Sequence, residues 1–211
     1  MVSRADIIKK VKVKLEELSP FDEPSSLLAV PNNDVKPIHS YIEDTLDKSF
    51  DDVLLSVPLH AIRETLKDYA PKFSVNDEGV GSCAVPQDFL RLYTVLFPEW
   101  RRAVKGYITP TTSDAYNLQR NKYTRGKFEK PIIAINDNAF EIYSLKGAPE
   151  LGKYTFRYIP TTSTGTSVFE DGLAEYLVLQ NAVHILQIFE QYDKVKTLSE
   201  ELSNKISVIS V

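Results

Sequence analysis

Four groups of residues in this chain have side chains that could do chemistry, and each also has a simpler reading. Cys83 is the only cysteine, and with His39, His60 or His184 it would form a nucleophile and base. No active-site-like sequence surrounds it, however, and the histidines are scattered, so a thiol in a strand or turn accounts for it. His184 could ligate a metal, but it lies in the most apolar stretch of the chain with no second Cys, His or acid at ligand spacing. A structurally hydrogen-bonded histidine is expected there, with no metal and no other cofactor. Asp44, Asp47, Asp51 and Asp52 share one helical segment with Lys48 and read as a solvated face, not as a paired acid and base. Gly79 to Gly81 (GVG) lacks the lysine and following helix of a phosphate loop and reads as a turn or strand bulge. Hydrolysis centred on Cys83 or His184 is thus the least supported class of function.

The fifth candidate is a charged segment. Between Arg101 and Lys130 stand eight basic residues (Arg101, Arg102, Lys105, Arg120, Lys122, Arg125, Lys127, Lys130) against Asp114 and Glu129, giving +6, while the rest of the chain carries −10. Tyr123 adds an aromatic ring among the cations. Interspersed cations and aromatics can contact phosphates, as in a DNA-binding packaging accessory factor. Alternatively the segment docks on an oppositely charged protein surface, including another copy of the chain, and the acidic remainder favours that reading. A net charge of −4 argues against a protein whose main work is coating nucleic acid.

Whatever these residues do, the rest of the chain must position them. With 211 residues, 43% hydrophobic and 26% charged, it can bury a full core without disulfides, and a lone cysteine fits folding in a reducing compartment. The first residues, MVSRADIIKKVKVKLEEL, mix charge through their apolar positions, so neither a signal peptide nor a membrane anchor is expected.

The spacing predicts a helix from Ser3 to Leu18, capped by Ser3, with Ile7, Ile8, Val11, Leu15 and Leu18 on its apolar face and Ser19 and Pro20 ending it. Phe21 to Asp34 reads as an irregular connection. Pro37 opens a second helix through Leu46, and a further helical piece runs from Asp51 to Leu66, interrupted at Pro58. Strands are predicted at Gly79–Val85, Phe89–Phe97, Trp100–Ile108 (as hairpin partner of the preceding strand), Lys130–Ile135, Ala139–Tyr143 and Lys153–Ile159. Asn136 to Asn138 form a turn, and Thr111 to Asn121 a short helix capped by Thr112 or Ser113. Phe169 to Phe189 is apolar around most of its circumference and should be the central helix. Asp193, as N-cap, would start a partner helix with Val195, Leu198, Leu202 and Ile206 on one face. The last residues, Ile206 to Val211 (ISVISV), read as a β-prone tail able to add a strand to its own subunit or a neighbour. The expected class is α+β: a helical bundle with a C-terminal helical hairpin and an inserted small antiparallel sheet region. Its parts are residues 1–70 (helical), 71–165 (mainly β) and 166–211 (hairpin and tail).

Three stretches carry a resemblance: VPQDFLRLYTVLFPEWRRAV (Val85 to Val104), AYNLQRNKYTRGKFEKPIIAI (Ala115 to Ile135) and AEYLVLQNAVHILQIFEQYDKVKTLSEEL (Ala174 to Leu202). Together they are similar to the head-to-tail adaptor, or connector, proteins of short-tailed bacteriophages, and most of all to the first ring protein below the portal in crAss-like phages. The motifs that match are Pro86 to Arg91, Arg120 to Gly126 with Lys130 and Pro131, and Tyr192 to Lys196. The resemblance implies a structural virion protein, not an enzyme, made in the cytoplasm of the host bacterium and built into the neck of the particle. Its implied partners are the portal protein, further ring or tail proteins and copies of itself, usually twelve, with DNA passing through the channel unread. It implies no membrane contact and no cofactor.

Overall fold

A computed structural model describes residues 1–18, 37–110, 114–150, 152–163 and 165–209. The expectations for Ser19 and Pro20, for Phe21 to Asp34, and for Thr112 and Ser113 as caps lie outside the described residues. The chain divides into two compact units, residues 1–65 with 162–211 and residues 66–161.

In the first unit, β1 (Val2–Ser3) pairs antiparallel with β9 (Val168–Phe169) and leads into α1 (Arg4–Glu17). Ser3 caps α1, its Oγ accepting from the Asp6 amide at 3.1 Å, and Ile7, Ile8, Val11 and Leu15 are buried at helical spacing. α2 is one continuous helix, Ile38–Ser56, where the sequence suggested two pieces. Leu46, Ser49, Phe50 and Val53 are all buried, so the polar stretch between the two apolar runs is simply the outer side of the same helix. Val57 caps it in an extended conformation because Pro58 follows, and one 3-10 turn, Leu59–Ala61, comes next.

After a 3-10 turn at Asp171–Leu173, α4 (Ala174–Ile188) is the central element of this unit, packed by α1, α2 and α5 (Tyr192–Ile209). Leu177, Ala182, Ile185 and Leu186 are fully buried. The helix closes with Glu190 in the left-handed region (φ 57°) and the Gln191 amide donating to the Leu186 carbonyl at 2.9 Å. Asp193 is then not the N-cap but a first-turn residue, where its charge suits the positive end of the helix. α5 buries only Leu198 and Leu202, as a helix covered on one side should. It runs to Ile209, so Ile206 to Ile209 are its last turn and not a strand; Ser210 and Val211 lie outside the described residues. Established turns extend more easily than new ones form, and this outweighs the β preference of Ile and Val.

The second unit holds two antiparallel sheets around one core. In the first, β8 (Thr155–Pro160) lies between β2 (Lys67–Asp68) and β5 (Phe89–Leu96). The second runs β3 (Ser74–Val75), β4 (Val80–Ala84), β7 (Ala139–Tyr143), β6 (Ile133–Asn136). Leu92, Val95, Phe97, Trp100, Phe140, Ile142 and Phe156 from both sheets pack together. Asp137 (φ 46°) and Asn138 (φ 62°) make the β6–β7 turn, residue types that tolerate left-handed geometry. Trp100 to Ile108 is not the partner strand of β5. Its backbone pairs with β5 through a Val95–Val104 bridge, the Tyr107 ring packs on Phe89 of β5, and Ile108 bridges to Ala134 instead. β5 pairs with β8, which brings Phe156 and Tyr158 to it. Among the described residues no helix is long and apolar enough to cross a membrane.

Candidate interaction surface

The basic segment lies wholly in the β unit, and four of its cations follow α3 (Asp114–Gln119) in the loop and turn from Arg120 to Lys127. Gln119 is buried and bonds at both ends of its amide: Nε2 donates to the Ala115 carbonyl at 2.7 Å and Oε1 accepts from the Gly126 amide at 2.8 Å. Between them the Asn121 side chain accepts the Tyr123 amide at 3.0 Å, and Thr124 Oγ1 donates to the Leu118 carbonyl at 2.7 Å. Ser144 Oγ donates to the Gly126 carbonyl. Position 126 has no room for a side chain, since a Cβ there would stand 2.9 Å from the Ile132 amide nitrogen. The loop is thus fixed from within, while Lys122 and Tyr123 point outward.

Under α3, Glu141 of β7 gathers three donors: Tyr143 Oη at 2.7 Å, Tyr116 Oη at 3.1 Å and Asn136 Nδ2 at 3.1 Å. Burial first, and the adjoining carboxylate second, push both tyrosine hydroxyls up, so they stay protonated donors. This network anchors α3, and with it the loop, to the sheet.

The nine residues read as the contact set do different work. Arg125 is largely an internal strut: its guanidinium bonds the Glu78 carboxylate at 3.0 Å and also the Glu78 carbonyl, with its side chain only 15% exposed. The other cations, Arg101, Arg102, Lys105, Arg120, Lys122, Lys127 and Lys130, are exposed, as is Tyr123. Lys122, Arg125 and Lys127 line one shallow groove of about 290 Å³ together with Glu78, Phe128 and Glu129. The Arg101 amide donates to the Phe128 carbonyl at 3.0 Å and its side chain stands 3.8 Å from Glu129, which brings Arg101 to the Lys127–Lys130 turn. Lys122 lies over the Tyr123 ring at 5.1 Å and Arg120 over the Tyr116 ring at 6.0 Å. Arg102 and Lys105 do not line the groove. Sequence reasoning missed Gln119 and Glu141, because a buried amide or carboxylate shows no signal without its partners.

Charge divides with the fold. The β unit has 14 basic and 10 acidic residues, net +4; the helical unit has 11 and 19, net −8.

The other candidates resolve into structural roles. Cys83 is buried in β4, and burial pushes its thiol up to about 12, far from a thiolate at neutral pH. Gly79 (φ 74°) is a turn residue, with its amide donating to the Asn76 carbonyl at 3.0 Å. Ser49, His184 and Asp52 form a chain, Ser49 Oγ lying 2.9 Å from Nδ1 and Asp52 Oδ2 lying 3.1 Å from Nε2. It has the composition of a hydrolytic triad but not its wiring. Ser49 is fully buried, donates its own proton to the Thr45 carbonyl at 2.8 Å and accepts from Asn181 Nδ2 at 3.0 Å, so its hydroxyl proton is directed at the backbone and not at the imidazole. The acidic face of α2 is not simply solvated, as the sequence suggested. Asp47 holds Arg4 at 2.6 Å and the Gly165 amide at 3.0 Å, and Asp51 accepts from the Thr162 amide at 2.7 Å; only Asp44 stays exposed. These carboxylates staple the loop before β9. Among the described residues no three potential ligands converge on a metal position.

No protein-family model matches the chain, and no curated protein matches it.

Proposed function

We propose that this chain is a ring-forming connector of a short-tailed bacteriophage, a structural virion protein that sits below the portal and extends the DNA channel. The observation that carries the reading is the division of labour in Arg120 to Gly126. Gln119, Asn121, Thr124, Arg125 and Gly126 build the loop, and Lys122 and Tyr123 face outward from it. A braced loop with an exposed cation and ring is suited to docking on another protein, since little ordering entropy is lost on contact. Portal, further ring or tail proteins and neighbouring copies are the partners this reading requires, and it requires no cofactor. Mass spectrometry and immunogold labelling of purified phage particles test it: the chain should be present at the neck in about as many copies as the portal. A chain found only free in the lysate sinks the reading.

A second reading has one observation in its favour. Tyr123 with Lys122 over its ring, in a loop whose Lys122 lines one groove with Lys127, has the composition of a platform for nucleic acid. As a packaging accessory factor the isolated protein would bind DNA with an affinity falling steeply in salt.

A further inference from the structure

Lys127 and Lys130 face each other across the turn Phe128–Glu129, the Lys127 amide donating to the Lys130 carbonyl at 3.2 Å and the Lys130 amide to the Lys127 carbonyl at 2.9 Å. Residues paired in this way put their side chains on one face with Cα atoms about 5.5 Å apart, and like charges so placed repel. Other cations gather at the same turn. Lys146 lies over the Phe128 ring at 5.3 Å, the Arg101 amide donates to the Phe128 carbonyl at 3.0 Å, and Lys122 shares the groove of about 290 Å³ with Lys127 and Phe128. Both acids lining that groove are engaged, Glu78 by Arg125 at 3.0 Å and Glu129, more loosely, by Arg101 at 3.8 Å. Lys122, Lys127, Lys130 and Lys146 are exposed and form no ion pair among the described residues. Asp77 and Glu99 do not line the groove, and the residues of this unit outside the description, 111–113 and 151, carry no charge. The repulsion in the free chain is therefore uncompensated.

We propose that this turn binds the phosphates of a single-stranded nucleic acid while Tyr123 stacks on one of its bases. The unpaired charges here are lysines, and the one well-held guanidinium, Arg125, is already bonded to Glu78. Lysine is a point charge suited to phosphate and is depleted in protein–protein contacts, where arginine is enriched. Tyr123 decides for one strand over two: its ring is 74% exposed, and an unpaired base offers it a free face that a stacked duplex does not. Lys122 joins ring and phosphates, since it lies over the Tyr123 ring at 5.1 Å and lines the groove with Lys127. The inference rests on the nucleic-acid reading of Lys122 and Tyr123 and adds to it the strand class and the phosphate-binding residues.

The test titrates full-length protein into a labelled oligothymidylate of about 20 nucleotides, a duplex of the same length and polyglutamate, from about 50 to about 200 mM salt, and reads fluorescence anisotropy. The single strand should bind more tightly than either competitor. Its log affinity should fall against log salt with a slope of about −3, the value for about four phosphates neutralised at about 0.7 each. Lys127→Ala with Lys130→Ala should roughly halve that slope and weaken binding about tenfold or more, at a melting temperature no lower than wild type because a repulsion is removed. Tyr123→Ala should weaken single-strand binding roughly five- to hundredfold with the slope unchanged, and leave duplex binding as it was. Arg102→Ala with Lys105→Ala, which removes two exposed cations of the same segment that do not line the groove, should leave the slope as in wild type. The proposal is overturned by a duplex held as tightly as the single strand, or by a slope that the Lys127 and Lys130 variant does not move. Polyglutamate bound as tightly as the oligonucleotide also overturns it and returns the surface to a protein partner. Oligonucleotide binding that depends on Arg102 and Lys105 instead removes this site and keeps the nucleic-acid reading; no binding at the lowest salt removes both.

Discussion

Gln119 Oε1 accepts the Gly126 amide hydrogen at 2.8 Å, closing the Arg120–Arg125 loop by a buried bond between its two flanking residues. The shape of this part of the basic segment is therefore set by an uncharged residue. Gln119→Ala should destabilise the β unit by about 1–3 kcal/mol, because the Gly126 amide is left without a partner in a dry site. Gly126→Ala should cost a similar amount, about 1–3 kcal/mol, since its Cβ would press on the Ile132 backbone. Urea unfolding of both variants measures this, and no change in either would mean the loop is not held from inside.

Arg125 and Lys122 separate structure from contact. Arg125→Glu places a carboxylate against Glu78 where an ion pair stood and should lower the melting temperature. Lys122→Glu, on an exposed side chain that lies over the Tyr123 ring, should leave stability within about 0.5 kcal/mol of wild type. Equal stability of the two variants would show that the Arg125–Glu78 contact is not a strut.

The central position of α4 makes its leucines expensive to truncate. Leu177→Ala or Leu186→Ala should each cost roughly 2–5 kcal/mol, the range for a fully buried leucine that leaves a cavity. Chemical denaturation gives the value directly, and losses below about half a kcal/mol at both sites would contradict the packing of α4.

His184 should make the fold sensitive to mild acid. Burial, reinforced by Lys48, holds its imidazole below the ordinary value near 6.5, against the smaller opposing pull of Asp52. The unfolded chain therefore binds the proton more readily. This contribution to stability is complete above about pH 6.5 and is lost as pH falls through the lower folded-state value. Unfolding free energy measured from about pH 7.5 down to about pH 5.5 should fall more steeply for wild type than for His184→Gln, which retains His39 and His60 as internal controls. Parallel slopes would rule out His184 as the source.

The sequence by itself determined the elements whose signal is local. The Ser3 cap and the Ile7, Ile8, Val11, Leu15 spacing specified α1, the apolarity of Phe169 to Phe189 around most of its circumference marked α4 as central, and Asn136 to Asn138 specified the turn between β6 and β7. In each case the deciding interactions span only a few residues, so a period or a turn residue is enough to write them. The concentration of cations between Arg101 and Lys130 was equally plain.

Tertiary structure decided everything that depends on a distant partner. β5 chose β8 over the nearby Trp100–Ile108 stretch because β8 brings Phe156 and Tyr158 to it, a gain that no local pattern records. Asp47 and Asp51 read as solvated until the Gly165 and Thr162 amides came to them, and Arg125 read as a free contact until Glu78 did. A charged side chain has the same appearance in sequence whether it faces water or a buried amide. What distinguishes the two is desolvation and the geometry of the partner, and both exist only once the chain has closed on itself.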